Sequence, residues 1–231
     1  MIKLIASDID GTLIPDSTPN LYPEIVEEIK SLTDRGILFC GASGRQLASI
    51  RSVFREVEDK ICYIAENGAH LYYKGKDLAV TAMKPEYARQ IVEQLRSLGR
   101  EYEFVVSTPH GSLLETKNRT FLDMMKYGYH NIFRQVEDVL AGEEVILKVA
   151  VYHRGSIRRL GEEVLIPQWG GLVKTCVAGE EWVDFMDASV DKGNALKKLQ
   201  QIFGVHREET MAFGDNTCLL YTSDAADDLL C

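Results

Sequence analysis

Two carboxylates stand two residues apart in Asp8-Ile9-Asp10-Gly11-Thr12-Leu13, directly after an apolar run. Side chains alternate along an extended chain, so carboxylates at this spacing leave a strand on the same side. Asp8 and Asp10 can therefore converge on one substrate or one cation. Gly11 lets the backbone turn sharply just beyond them. A lone Asp-x-Asp pair is most simply a solvated acidic turn. DIDGTL at the end of a buried strand is far more specific.

The elements around the pair set its position. Residues 2–7, IKLIAS, form a nearly continuous apolar run ending at a carboxylate, the pattern of a strand covered on both faces. Pro23 opens a helical stretch in which Ile25, Val26, Ile29 and Leu32 recur at helical spacing before Gly36 stops it. Residues 37–40 read as a second buried strand. A helix carrying Leu47, Ile50, Val53, Phe54 and Val57 follows, then a third strand over 61–65. This alternation predicts an α/β fold with a parallel sheet. Ligands bind such sheets at the carboxyl ends of the strands, where Asp8 and Asp10 lie.

The middle of the chain changes character. A hairpin over 71–78, a helix over 85–98 and shorter strands, including 145–152 and 172–177, predict an α+β domain inserted at 82–184. Residues 1–81 and 185–216 would then form the core domain. A helix over 193–203 and a strand over 210–213 resume the first pattern there.

Composition narrows the function classes. The 231 residues are 45% hydrophobic and 26% charged, an ordinary globular balance. A formal charge of −9 gives no basic face for a nucleic-acid backbone. No apolar run approaches the roughly 20 residues that span a bilayer, and MIKLIASDID is too short and acidic for a signal peptide. Cys40, Cys62, Cys176, Cys218 and Cys231 show no CxxC pair, which reads as inert thiols in a reducing cytoplasm. His70, His110, His130, His153 and His206 are scattered without metal-ligand spacing and read as surface or loop residues. Trp169 and Trp182 read as core packing, and Arg158, Arg159, Glu162 and Glu163 as a solvated helix face.

Taken in order, four segments resemble the motifs of the haloacid dehalogenase (HAD) superfamily, specifically the Cof-like phosphatases with a large α/β cap. DxDGT is matched by Asp8 to Thr12; the Ser or Thr after the second strand by Ser43, in Gly41-Ala42-Ser43-Gly44-Arg45; and the Lys at a helix start by Lys192. Of the fourth motif, GDxxND, Gly214 and Asp215 are present. The segment Ala65-Glu66-Asn67-Gly68-Ala69 also resembles this subgroup. The resemblance implies a Rossmann-like core with an inserted cap. It also implies a cytoplasmic enzyme acting on small phosphorylated metabolites, such as sugar phosphates or phosphorylated cofactors, with no nucleic-acid or membrane partner. The oligomeric state carries no signal.

The resemblance also implies roles. Asp8 would attack phosphorus and form an aspartyl-phosphate, and Asp10 would protonate the leaving oxygen and then activate water. Ser43, Gly44 and Lys192 would bind the phosphoryl oxygens. Mg²⁺ would be held by Asp8, the backbone carbonyl of Asp10 and Asp215. These positions make physical sense. Ser43, ending a strand and beginning a helix, suits either an anion site or a simple N-cap. A lysine at a helix start sits against the dipole, which a facing phosphate would explain. Three clustered carboxylates repel one another unless a hard cation neutralises them. Two other readings are a phosphomutase of the same superfamily and an inactive metabolite-binding fragment.

The chain departs from the family at its end. Cys218 and Leu219 stand where the fourth motif has Asn and Asp. Residues 218–227 can be encoded by TGT CTC TTA TAC ACA TCT GAC GCT GCC GAC, which resembles a transposase-type sequencing adapter. Residues 217–231 are therefore expected to be a non-native tail, without which the charge falls to −6, since Asp224, Asp227 and Asp228 go. The core is then expected to be truncated, to expose an apolar sheet edge and to bind Mg²⁺ poorly, impairing activity in the chain as written.

Overall fold

The computed structural model describes residues 1–14 and 20–214. Asp215 and the 217–231 segment lie outside the described residues. In chain order the elements begin with β1 (Leu4–Asp8), α1 (Pro23–Asp34), β2 (Leu38–Ala42), α2 (Leu47–Val53), β3 (Cys62–Ala65), β4 (His70–Tyr73) and β5 (Lys76–Val80). There follow α3 (Pro85–Arg96), β6 (Tyr102–Thr108), β7 (Gly111–Leu114), α4 (Arg119–Asp123), β8 (Phe133–Gln135) and β9 (Lys148–His153). The last are α5 (Arg158–Leu160), α6 (Ile166–Trp169), β10 (Lys174–Ala178), β11 (Trp182–Met186), α7 (Lys192–Phe203) and β12 (Thr210–Phe213). Among the described residues, those of 1–79 with 191–214 form one compact unit, and Val80–Val190 the other.

The first unit carries a sheet in the order β12-β1-β2-β3-β4-β5. It is parallel from β12 to β3 and turns antiparallel at β3–β4. The register pairs Asp8 with Ala42 and Ser7 with Phe213, so β1, β2 and β12 finish along one edge. Alternation sends Ile5, Phe39 and Tyr63 to a face that packs with Val26 and Ile29 of α1 and Ile50 of α2. Leu4, Ala6, Cys40, Cys62 and Ile64 take the other face, against Ala195, Leu196 and Leu199 of α7. Both faces are covered, which is why these strands read as unbroken apolar runs.

Burial also governs the thiols. It pushes the Cys62 thiol up to about 12 and holds Cys40 well above its ordinary value. Almost no thiolate exists at neutral pH, so both are poor nucleophiles. In the native protein Cys40 and Cys62 should resist a thiol-specific reagent that labels the half-buried Cys176, and both should react once urea unfolds the chain. The unfolded chain releases these protons above about pH 8.5 while the folded one keeps them, so this contribution to stability falls as pH rises beyond that point. Urea melts across that range check the sign.

The second unit has a mostly antiparallel sheet, ordered β10-β11-β9-β6-β7-β8, with β7 and β8 parallel. Ile91, Val92 and Leu95 of α3 pack with Val149, Val151, Val183 and Phe185 on one face. Trp169 is buried there and donates its indole N–H to Gln94 Oε1 at 2.7 Å. Phe121, Leu122 and Met125 cluster with Val105, Leu114 and Tyr152. Arg158–Glu162 and Arg159–Glu163 form exposed ion pairs one helical turn apart.

Several elements differ from the sequence expectation. α2 stops at Val53, yet Phe54 and Val57 remain buried in the turn beyond it, where the Val57 N–H donates to the Phe54 carbonyl at 2.8 Å. Apolar spacing there reports burial, not helix. β9 starts at Lys148, where the ladder with Ser107 of β6 begins, and Val145 is exposed. His70 is not a surface residue: it lies on β4, 1% exposed, with its ring 2.6 Å from Asp77 Oδ1. Among the described residues, no helix is long and apolar enough to cross a membrane.

Candidate active site

Asp8 is the last residue of β1 and is 7% exposed. Its Oδ1 accepts from the Ile9 N–H at 2.8 Å, and its Oδ2 accepts from Lys192 Nζ at 2.7 Å. The two side chains are 184 residues apart in sequence and only 10% and 12% exposed. Lys192 is the first residue of α7, where the helix dipole disfavours a cation. The helix start is fixed by Asp191, whose side chain accepts from the Asn194 N–H at 2.6 Å. Asp8 offsets the dipole cost, so the pair ties the two ends of the unit's sequence together.

Asp10 does not extend the strand as the alternation argument has it. The chain turns at once: the N–H groups of Leu13 and Ile14 donate to the Ile9 carbonyl at 3.0 and 2.8 Å, and Gly11 takes φ +79°. The turn carries Asp10 outward, leaving its side chain half exposed. Arg45 meets it with two donors: Nε reaches Oδ2 at 2.9 Å and Nη2 reaches Oδ1. Ser43 Oγ also donates to Asp10 Oδ2, at 3.4 Å.

Ser43 follows β2 and is 2% exposed, but it begins no helix. α2 starts at Leu47 with Gln46 as its cap residue, so neither the helix-start nor the N-cap reading of Ser43 holds. Ser43 Oγ instead accepts from the Arg45 N–H at 3.2 Å, closing a small turn. The 66–68 turn after β3 braces it: the Asn67 N–H donates to the Ser43 carbonyl at 3.1 Å and the Glu66 N–H to the Arg45 carbonyl at 3.0 Å. Gly44 packs so tightly on Asn67 that a Cβ there would lie 2.6 Å from Asn67 Oδ1.

The same turn touches the start of α7. Gly68 has φ +109°, and a Cβ on it would fall 2.5 Å from the Asp191 carbonyl oxygen. Backbone would have to move. Gly68→Ala should therefore cost about 2–3 kcal/mol in urea unfolding. A loss under about 0.5 kcal/mol would show that the turn does not brace the α7 start.

Asp8, Asp10, Ser43, Gly44 and Lys192 thus sit at the carboxyl edge of the parallel strands. Arg45 joins them, and as a half-buried polar residue in a turn it carried no periodicity that could have marked it. The Asp8 carboxylate and the Asp10 carbonyl are hard oxygen donors of the kind Mg²⁺ takes, so the residues present fit such an ion in kind. Asp215, the third expected ligand, lies outside the described residues, among which no three His, Cys, Asp or Glu side chains converge on a metal position.

Comparison with known proteins adds a second line. The profile of the haloacid dehalogenase-like hydrolases matches residues 5–217. The chain is 25% identical over 214 residues to the 5-amino-6-(5-phospho-D-ribitylamino)uracil phosphatase YbjI of Escherichia coli, covering 93% of this chain and 79% of that one. It is 28% identical over 242 residues to the phosphatase YwtE of Bacillus subtilis, which is named for the same substrate, with 93% and 82% covered. A crystal structure from Eubacterium rectale superposes with a TM-score of 0.83 at 30% identity, over 96% of this chain and 84% of that one.

Proposed function

The chain belongs to the haloacid dehalogenase-like hydrolases, and from that premise we propose that it is a Mg²⁺-dependent phosphatase cleaving phosphomonoesters of small metabolites. The observation that carries the reading is a nearly buried carboxylate, Asp8, at the end of a central parallel strand and 2.7 Å from the Lys192 ammonium. Ser43 follows Ala42, the strand partner of Asp8, and its hydroxyl donates to Asp10.

Asp8 attacks phosphorus through a carboxylate oxygen, the bond to the leaving oxygen breaks, and Asp10 gives that oxygen a proton. Asp10 then takes a proton from water, which attacks the aspartyl-phosphate, restoring the Asp8 carboxylate and freeing inorganic phosphate. Lys192 and Ser43, with the backbone N–H of Gly44, hold the phosphoryl oxygens. The Lys192 charge beside Asp8 offsets the negative charge that accumulates as nucleophile and phosphate approach. Asp8, the Asp10 carbonyl and Asp215 would hold Mg²⁺, which when bound neutralises charge between the carboxylate and the phosphate.

The names of the Escherichia coli and Bacillus subtilis relatives support 5-amino-6-(5-phospho-D-ribitylamino)uracil as the first compound to try, beside sugar phosphates. A panel of such esters, assayed on the protein, should release phosphate with Mg²⁺, stop with a chelator and recover on adding the ion back. Release from no member of the panel would contradict the reading, and so would isomer formation without free phosphate.

A further inference from the structure

We infer that Arg45 is a positioning residue that fixes the orientation of Asp10 for its proton exchange with the leaving oxygen. The inference rests on reading Asp10 as the proton-transfer group. Asp10 sits on a turn with its side chain half exposed, so packing does not choose its rotamer. A proton donor must be held to within a fraction of an ångström of the leaving oxygen to be effective. Something else must aim it.

The guanidinium supplies that aim. Nε and Nη2 of Arg45 grip Oδ2 and Oδ1 in a fork, a geometry that sets the plane of the carboxylate as well as its position. Arg45 is itself anchored, because its N–H donates to Ser43 Oγ and its carbonyl accepts from the Glu66 N–H. The turns after β2 and β3 therefore point one cation at the turn after β1. Stability does not explain the pair. Ion pairs this exposed contribute roughly 0–1 kcal/mol.

The Arg45 fork occupies one acceptor direction on each Asp10 oxygen and so fixes both at once. The two carboxylates are also sorted by their cations, with Lys192 on Asp8 and Arg45 on Asp10.

The test uses a set of aryl phosphates of similar size, from p-nitrophenyl phosphate, whose leaving group departs without a proton, to phenyl phosphate, whose leaving group needs one. For Arg45→Gln and Arg45→Lys, kcat/KM for p-nitrophenyl phosphate should stay within about threefold of wild type, while that for phenyl phosphate falls about 30-fold or more. Adding Arg45→Gln to Asp10→Asn should change neither value by more than about twofold, because the residue acts through Asp10. Arg45→Lys keeps charge and stem, so a defect shared by both variants, with native circular dichroism, is not misfolding. Equal losses on both esters together with weaker inhibition by inorganic phosphate would overturn the inference, since Arg45 would then bind phosphate directly. That outcome would leave the phosphatase reading standing. A wild-type protein inactive on every ester would remove both.

Discussion

Asp8→Asn should lower kcat by at least about 10⁴-fold, the scale seen when a nucleophile is removed from an otherwise complete site. The substitution keeps shape and length. Its amide oxygen can still accept from the Ile9 N–H or from Lys192, so the cost in stability should be about 1–2 kcal/mol. Substrate binding should survive better than turnover, because Ser43 and Lys192 remain to hold the phosphate. The expected pattern is therefore a collapse of kcat with a modest change in KM and native circular dichroism. An Asp8→Asn protein that keeps wild-type turnover would exclude Asp8 as the attacking group.

Lys192→Met should damage both stability and rate. It retains most of the side-chain volume and removes the charge, leaving Asp8 nearly buried with the Ile9 N–H as its remaining donor among the described residues. Removing one partner of such a pair strands the other, at a cost on the order of 3 kcal/mol. Turnover should fall about 10²–10³-fold through lost electrostatic stabilisation of the transferring phosphoryl group. The double variant Asp8→Asn/Lys192→Met separates the two effects. With both charges gone, much of the stability should return, while activity stays absent. Strictly additive losses in urea unfolding would mean that the 2.7 Å contact carries little energy.

Much of this was legible in the amino-acid sequence, for identifiable reasons. A strand covered on both faces must be apolar at every position, so β1, β2 and β3 announced themselves and placed Asp8 at an edge. Pro23 at the start of α1 and Gly36 just beyond its end, with φ +82°, are chosen by backbone geometry alone. Contacts between distant segments were harder. Nothing local distinguishes Arg45 from an ordinary surface arginine, since its partner lies 35 residues away. Ser43 looked like a helix cap because Ser is favoured there, but the tertiary turn at 66–68 claims its backbone instead. His70 looked ordinary because the Asp77 that receives it sits on the next strand. In the second unit, helical segments of three to five residues with π-type turns at Met124–Gly128 and Gly161–Leu165 leave no clean period to read.

The most direct test is the covalent intermediate itself. Mixing the protein with a good substrate and Mg²⁺, quenching in acid within the first turnover and sequencing the peptides by mass spectrometry should find a phosphoryl group on the peptide containing Asp8, and on Asp8 within it. The label should vanish on standing at alkaline pH, as an acyl phosphate does, and should be absent from Asp8→Asn. Turnover without any phosphorylated peptide, or a phosphoryl group on another residue, would contradict the account.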